Sequence, residues 1–282
     1  MQQHMRIILF LPAICLLLII GSEIQAMQKP KHVVLLGASV GKAWNIESLP
    51  KRISQLNPSN STNPSNPTNS SNPTNPSNSS NPTNPTNPSN PKNPSNPTNP
   101  TNSINYRFEY IGEYQFDKSK ALQQILQRKE NKPHVIFIKE CAAYFPGNLP
   151  QYEELMKGWV IRCKETGVIP IPTTVVPVIK DLPLKTRLKD LIKWVIGRPT
   201  QGAIHTLRLK EILLYNDWIK SYARKEGLIV LDLEAPLHID NENRSLRLDL
   251  HSGDGLHLNE KAYAILDKIV IPTLEKAFDK KY

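Results

Sequence analysis

The sequence predicts an α/β protein: a single domain built on a parallel sheet that is covered by helices on both faces. Short apolar runs alternate with helical patterns along most of the chain, which is the signature of that architecture. The first apolar run closes on a glycine, where a buried strand gives way to the next element. Of the 282 residues, Met1 to Ala26 and the repeat Asn57 to Thr101 cannot belong to the core, which leaves about 211, within the usual range for one domain.

In chain order, His32 to Leu36 is a short apolar run ending at Gly37 and reads as a buried strand, and Lys42 to Ile53 follows as a helix. Tyr106 to Ile111 is a second strand, Lys118 to Lys129 a helix, Val135 to Ile138 a third strand and Gln151 to Lys164 a helix. Val168 to Ile171 reads as a fourth strand. Helical patterns then cover Leu184 to Ile196 and Ile204 to Lys225, and Leu228 to Leu233 reads as a further strand. Asn259 to Phe278 closes the chain as a helix, with a bend expected at Pro272. In parallel sheets of this kind the functional site lies at the carboxyl ends of the strands.

Residues 1–26 carry one early cation, Arg6, then the apolar run Ile7 to Ile20, then the more polar Gly21 to Ala26. This order is that of a signal peptide, and the apolar run is short for a membrane span of roughly 20 residues. Cleavage is expected after Ala26, giving an exported protein, periplasmic or extracellular, with no stable span afterwards. The mature domain, 27–282, is interrupted by an insertion over 57–103. Within it Asn57 to Thr101 repeats a nine-residue unit five times, mostly Asn-Pro-Ser/Thr. With no apolar side chain to bury, the insertion is expected to be disordered with a polyproline II bias. Asn60, Asn69, Asn78 and Asn243 head glycosylation sequons, which are expected to be unused.

After signal removal only Cys141 and Cys163 remain. They are expected as free thiols, since one sits at the top of a strand and the other well along a returning helix, beyond the roughly 6 Å that a disulfide spans. The formal net charge is +10. Its cations are spread over ordinary helix patterns, so a solvated surface is expected and a nucleic-acid partner is not. No Cys-x-x-Cys or His-x-x-x-His spacing suggests a metal, and no cofactor is expected. A monomer is the expected state.

Two distant stretches carry chemistry: Gly37-Ala38-Ser39-Val40-Gly41 after the first strand, and Asp254-Gly255-Leu256-His257-Leu258-Asn259 before the last helix. A serine hydroxyl is protonated at neutral pH and attacks a carbonyl only when an imidazole takes its proton, for which His257 is the candidate. Asp254, three residues upstream, could fix the imidazole's tautomer, and Gly255 would permit the tight bend. Each piece has a plainer reading. Ser39 could cap a helix, and Asp254 and His257 could form an ordinary loop with Asn259 as the cap of the helix beyond. Gly37 to Lys42 also resembles a phosphate loop, but one residue short and with Ala43 in place of the magnesium-binding hydroxyl.

Together, these residues resemble the SGNH/GDSL hydrolase family, over most of the mature chain outside the insertion. Gly37-Ala38-Ser39 stands where the family has Gly-Asp-Ser, and Asp254, His257, Asn259 and Tyr263 match its last block, the more specific of the two. The resemblance implies a flavodoxin-like three-layer α/β/α sandwich, the SGNH hydrolase fold, with Ser39, Asp254 and His257 as the catalytic residues. It implies an oxyanion hole formed by the Ser39 and Gly112 N–H groups, with Cys141 where the family's side-chain donor stands. The family's Gly-x-Asn-Asp is replaced there by Lys139-Glu140-Cys141-Ala142, and a thiol is a poor donor. Lys139 and Asn148 are the nearby groups that could take its place. The function expected is an exported serine esterase acting on a small-molecule or glycan ester, by hydrolysis or acyl transfer. The alternative is a catalytically weak or inactive relative that binds a surface glycan.

Overall fold

The computed structural model describes residues 29–56, 105–180, 182, 187–188, 191–192, 195 and 201–280. The expected signal peptide, the 57–103 insertion with its three sequons, and most of the helix expected over Leu184 to Ile196 lie outside these residues.

Four strands form one parallel sheet: β1 (Lys31–Gly37), β2 (Tyr106–Gly112), β3 (Val135–Ile138) and β4 (Ile169–Pro172), in the order β2-β1-β3-β4. β1 and β2 pair from Lys31 opposite Tyr106 to Gly37 opposite Gly112, and Lys31 N–H donates to the Asn105 carbonyl at the amino end. Strand side chains alternate between faces, so the apolar runs serve two cores. Val33, Leu35, Phe108, Val135, Phe137 and Ile171 pack on one face with Val40 and Trp44 from α1 (Ser39–Trp44), Leu49 from α2 (Leu49–Leu56), and Leu266, Val270 and Leu274 from the last helix. Val34, Leu36, Ile136 and Ile138 pack on the other against α3 (Ser119–Leu126), α4 (Leu149–Glu165) and α5 (Gln201–Glu226). The last helix, α6, spans Glu260–Asp279. This is the three-layer α/β/α sandwich expected from the sequence.

Two elements differ from the sequence reading. The single helix expected over Lys42 to Ile53 is two helices separated by a 3-10 turn at Ile46–Ser48, because Asn45 adopts a left-handed backbone (φ 49°) that ends α1. The strand expected at Leu228 to Leu233 is reduced to one parallel bridge, Leu231 with Thr173. Its neighbour explains why. The N–H groups of Ile169 and Thr173 point toward β3, donating to His134 and Ile138 at 2.9 and 3.1 Å. Pro170 and Pro172 therefore occupy the positions whose N–H would face outward, and a ladder lacking those donors cannot continue.

Pro272 lies inside α6 without ending it. A buried carboxylate on the same helix, Asp267, accepts from Trp44 Nε1 at 2.8 Å and from Arg52 at 2.7 and 2.9 Å, tying α6 to α1 and α2. Cys141 and Cys163 are both buried and free, as expected. Among the described residues no helix is long and apolar enough to cross a membrane.

Candidate active site

Ser39 begins α1 directly beyond the carboxyl end of β1. Ala38 occupies the cap position and no side chain caps the helix, so Ser39 does not play the capping part its position allowed. Residues 39–44 are helical, with Gly41 inside the helix, and so do not form a phosphate-cradling loop. The Tyr110 hydroxyl lies 3.1 Å from the carbonyl oxygens of both Gly37 and Ala38 and can donate to either. It fixes the strand-to-helix turn just before Ser39, and a Cβ at Gly41 would lie 2.9 Å from its ring.

Two of the expected partners stand close to Ser39. Cys141 follows β3, is buried, and places its Sγ 4.0 Å from Ser39 Oγ. Gly112 ends β2 opposite Gly37, and Glu113 N–H donates to the Gly37 carbonyl at 2.9 Å. By the alternation of a parallel ladder, the Gly112 N–H then falls outside the β1–β2 pairing.

Behind Cys141 lies a charged cluster that sequence reasoning missed. Lys118 and Glu140 form an ion pair of 2.7 Å with both side chains fully buried. Lys139 is buried too, donating from Nζ to the Glu140 carbonyl at 2.9 Å, while its Cβ crowds Gly37. Burial pushes the Glu140 carboxyl up, against the pull of Lys118, and pushes the Lys139 amine down. Lys139 Nζ and the Asn148 amide thus each donate to a backbone carbonyl, those of Glu140 and Tyr144.

Asp254 and His257 meet in the last loop. Asp254 Oδ1 accepts from the backbone N–H groups of Leu256 (2.9 Å) and His257 (2.8 Å), and Oδ2 lies 2.5 Å from His257 Nδ1. One oxygen is thereby locked to the loop and the other to the imidazole, the geometry that sets a tautomer. Burial raises the Asp254 carboxyl, but the His257 hydrogen bond and the two backbone donors outweigh it and hold it at about 2, below the ordinary 3.8. Since the folded value is depressed, the clamp's stabilisation is present above the unfolded value and is lost as pH falls from about 4 to about 2. A carbon-detected NMR titration of the Asp254 carboxyl should show a midpoint near the lower figure; a midpoint at 3.8 would count against the clamp.

The loop itself is held on several sides. Ser252 N–H donates to the His257 carbonyl (2.9 Å), Ile179 N–H to the Gly255 carbonyl (3.2 Å), and Asn259 caps α6 by accepting from Ala262 N–H (3.1 Å). Upstream, buried Glu234 accepts from Arg244 at 2.5 and 2.9 Å and from Lys220 at 3.2 Å, anchoring the approach to the loop on α5. Gly255 has φ +77°, and a Cβ there would overlap the Ile179 side chain. The bend between acid and base thus needs glycine. Gly255→Ala should destabilise the protein by about 1–3 kcal/mol in urea unfolding.

The structure therefore assembles Ser39 with Cys141 and Asp254 with His257. Among the described residues no hydrogen bond joins Ser39 to His257, and no cluster of histidine, cysteine and carboxylate side chains could hold a metal.

No family model and no curated protein matches the sequence. Among solved structures, the chain is similar to a GDSL-like lipase from Bacteroides thetaiotaomicron, with TM-score 0.51 and 15% identity over 91% of this chain and 96% of that one. It is equally similar to a candidate acylhydrolase from Bacteroides fragilis, with TM-score 0.51 and 14% identity over 90% and 93%. At such identities the likeness establishes a shared fold.

Proposed function

We propose that this chain is an exported serine esterase that hydrolyses or transfers the acyl group of a cell-surface ester, glycan-borne esters included. The observation that carries this reading is the Asp254 carboxylate, held by two backbone amides and paired with His257 Nδ1, on the loop that precedes the last helix. Ser39 at the end of β1, the shared fold and the signal-like N-terminus support it.

In this mechanism His257 Nε2 comes within reach of Ser39 Oγ when substrate enters, as catalytic hydrogen bonds often tighten only in the substrate complex. His257 takes the hydroxyl proton as Oγ bonds to the ester carbon. Asp254 stabilises the imidazolium without itself accepting the proton. The Ser39 and Gly112 N–H groups stabilise the oxyanion, and the Cys141 thiol is the third, weaker donor. The imidazolium then protonates the departing alkoxide. Water, or an acceptor alcohol, attacks the acyl-serine with His257 again as base, and Ser39 is regenerated.

The test is fluorophosphonate labelling of the mature chain beside Ser39→Ala and His257→Ala variants. Labelling that both substitutions abolish supports the reading. A folded wild-type protein that does not label would sink it.

One observation favours a second reading, a slow or non-catalytic relative that binds a surface glycan: a thiol stands 4.0 Å from the Ser39 hydroxyl where an amide donor belongs. Cys141→Asn distinguishes the two. If the thiol limits oxyanion stabilisation, an amide there should raise turnover by about tenfold or more, since one such donor is typically worth ~10²–10³ in rate. No turnover in either form would favour binding.

A further inference from the structure

The partly buried arginines among the described residues are paired with carboxylates, with one exception. Arg52 meets Asp267, Arg128 meets Glu109, Arg244 meets Glu234 and Arg247 meets Asp249, at 2.5 to 3.2 Å. Arg208, on α5, is partly buried as well, yet no carboxylate among the described residues forms an ion pair with it. Its Nε donates to the Phe145 carbonyl at 3.0 Å, and its two Nη atoms make no hydrogen bond among the described residues. Glu211, one turn further along α5, does not compensate, because its carboxylate accepts from the Gly147 N–H at 2.6 Å. A guanidinium drawn out of water without a counter-charge is costly. Burial accordingly pushes Arg208 down from its ordinary value, with only Cys141 pulling the other way, and it remains a cation at neutral pH.

The surroundings of Arg208 belong to both halves of the candidate active site. Phe145 follows the 3-10 turn Ala142–Tyr144, which starts directly after Cys141, so about 8 Å of chain, at ~2 Å per residue, separates Cys141 from the residue that Arg208 holds. Cys141 Sγ is in turn 4.0 Å from Ser39 Oγ. One turn back along α5, on the same face, His205 brings Cε1 to 3.7 Å from where a Gly255 Cβ would stand, in the bend between Asp254 and His257. α5 thus meets the Cys141 segment at Arg208 and the Asp254–His257 loop at His205.

We infer that the two Nη groups of Arg208 form a binding subsite for an oxyanion, a carboxylate or phosphate-type group, carried by the substrate near its ester. A guanidinium fork presents parallel N–H donors to such a group, and a desolvated cation gains more from the pairing than one on an open surface. Held through Nε by the Phe145 carbonyl, the fork is fixed before the anion arrives, so little side-chain freedom is lost on binding. The subsite itself does not require the esterase reading; that it selects an ester substrate rests on it.

The test compares hydrolysis of phenyl acetate, 4-acetoxybenzoate and 4-acetoxyphenyl phosphate by the mature full chain and by Arg208→Gln, which keeps an N–H donor for Phe145 while removing the charge. Expected in the wild type is a kcat/KM that favours at least one anionic ester over phenyl acetate by about tenfold or more, carried by KM, with the preference lost in the variant. Raising the salt should erode the preference, and Arg208→Lys should keep part of it, since an ammonium supplies charge without the fork. The anionic ester that gains more tells carboxylate from phosphate. No preference in the wild type, or one that survives in Arg208→Gln, would overturn the inference. An equal loss on all three esters would overturn it too, leaving Arg208 a clamp for the Phe145 carbonyl. If none of the three is hydrolysed and no fluorophosphonate labelling occurs, the esterase reading fails by itself. Calorimetry with benzoate and phenylphosphonate then decides the subsite: binding that Arg208→Gln abolishes retains it, and equal or absent binding overturns it.

Discussion

Replacing His257 with alanine should lower the turnover of an activated soluble ester by about 10⁴-fold or more, while the far-ultraviolet circular dichroism stays unchanged. The side chain is 40% exposed, and its one described side-chain hydrogen bond is to Asp254, so little of the fold depends on it. Asp254→Asn separates orientation from folding. The amide oxygen can still accept the Leu256 and His257 backbone N–H groups, but its NH₂ faces His257 Nδ1 and forces the wrong tautomer, with an expected loss of about 10⁴-fold in kcat. A His257→Ala variant that keeps more than a tenth of wild-type turnover would show that the imidazole is not the base, and the same result for Asp254→Asn would show that the carboxylate does not set its tautomer.

The largest expected effect on stability comes from Glu140. Its partner Lys118 and it are both fully buried, so Glu140→Ala leaves an ammonium with neither water nor counter-charge. Breaking a buried pair from one side costs about 3–5 kcal/mol, which urea denaturation would read as a lower midpoint at nearly constant slope. Lys118→Met/Glu140→Leu is the informative control. If the desolvation of the pair offsets its attraction, the double variant should recover most of the loss, because two apolar side chains leave no orphan charge. Should the double variant be as unstable as the single one, the pair would be contributing net stability by itself.

The strands were readable because each is a short apolar run whose local pattern leaves no better alternative; Val135 to Ile138 coincides with β3, and the other three differ by one residue at one or both ends. The Asp254–His257 pairing was readable as well, since a three-residue spacing with glycine inside allows the bend that the loop makes. Other features depend on information that is not local. Leu228 to Leu233 has the composition of a strand, but whether it pairs is decided by the prolines of β4, some sixty residues earlier. The break at Asn45 is a choice of backbone basin that apolar spacing does not encode. The burial of Lys118, Lys139 and Glu140 is another such feature, since charged residues are almost always exposed and the sequence placed Lys139 and Glu140 only within the altered third block. One signal could have revealed two of them: Lys139 and Glu140 follow a fully buried strand at a point where the chain must stay inside to bring Cys141 beside Ser39.

The pairing of Lys31 with Asn105 sets the relation between the repeats and the chemistry. The repeat-bearing stretch rejoins the described chain at Asn105, at the amino end of β2, whereas Ser39, Gly112 and Cys141 all lie at or beyond carboxyl ends. The seven residues of β2 separate the two by about 20 Å. Lengthening or shortening the repeat by whole nine-residue units alters a loop whose closure costs only ~0.6 kcal/mol per doubling, and whose point of re-entry lies at the opposite end of β2 from the serine. Repeat number is therefore a trait that can drift between lineages unseen by selection on turnover, and related chains with very different tracts could share one catalytic rate.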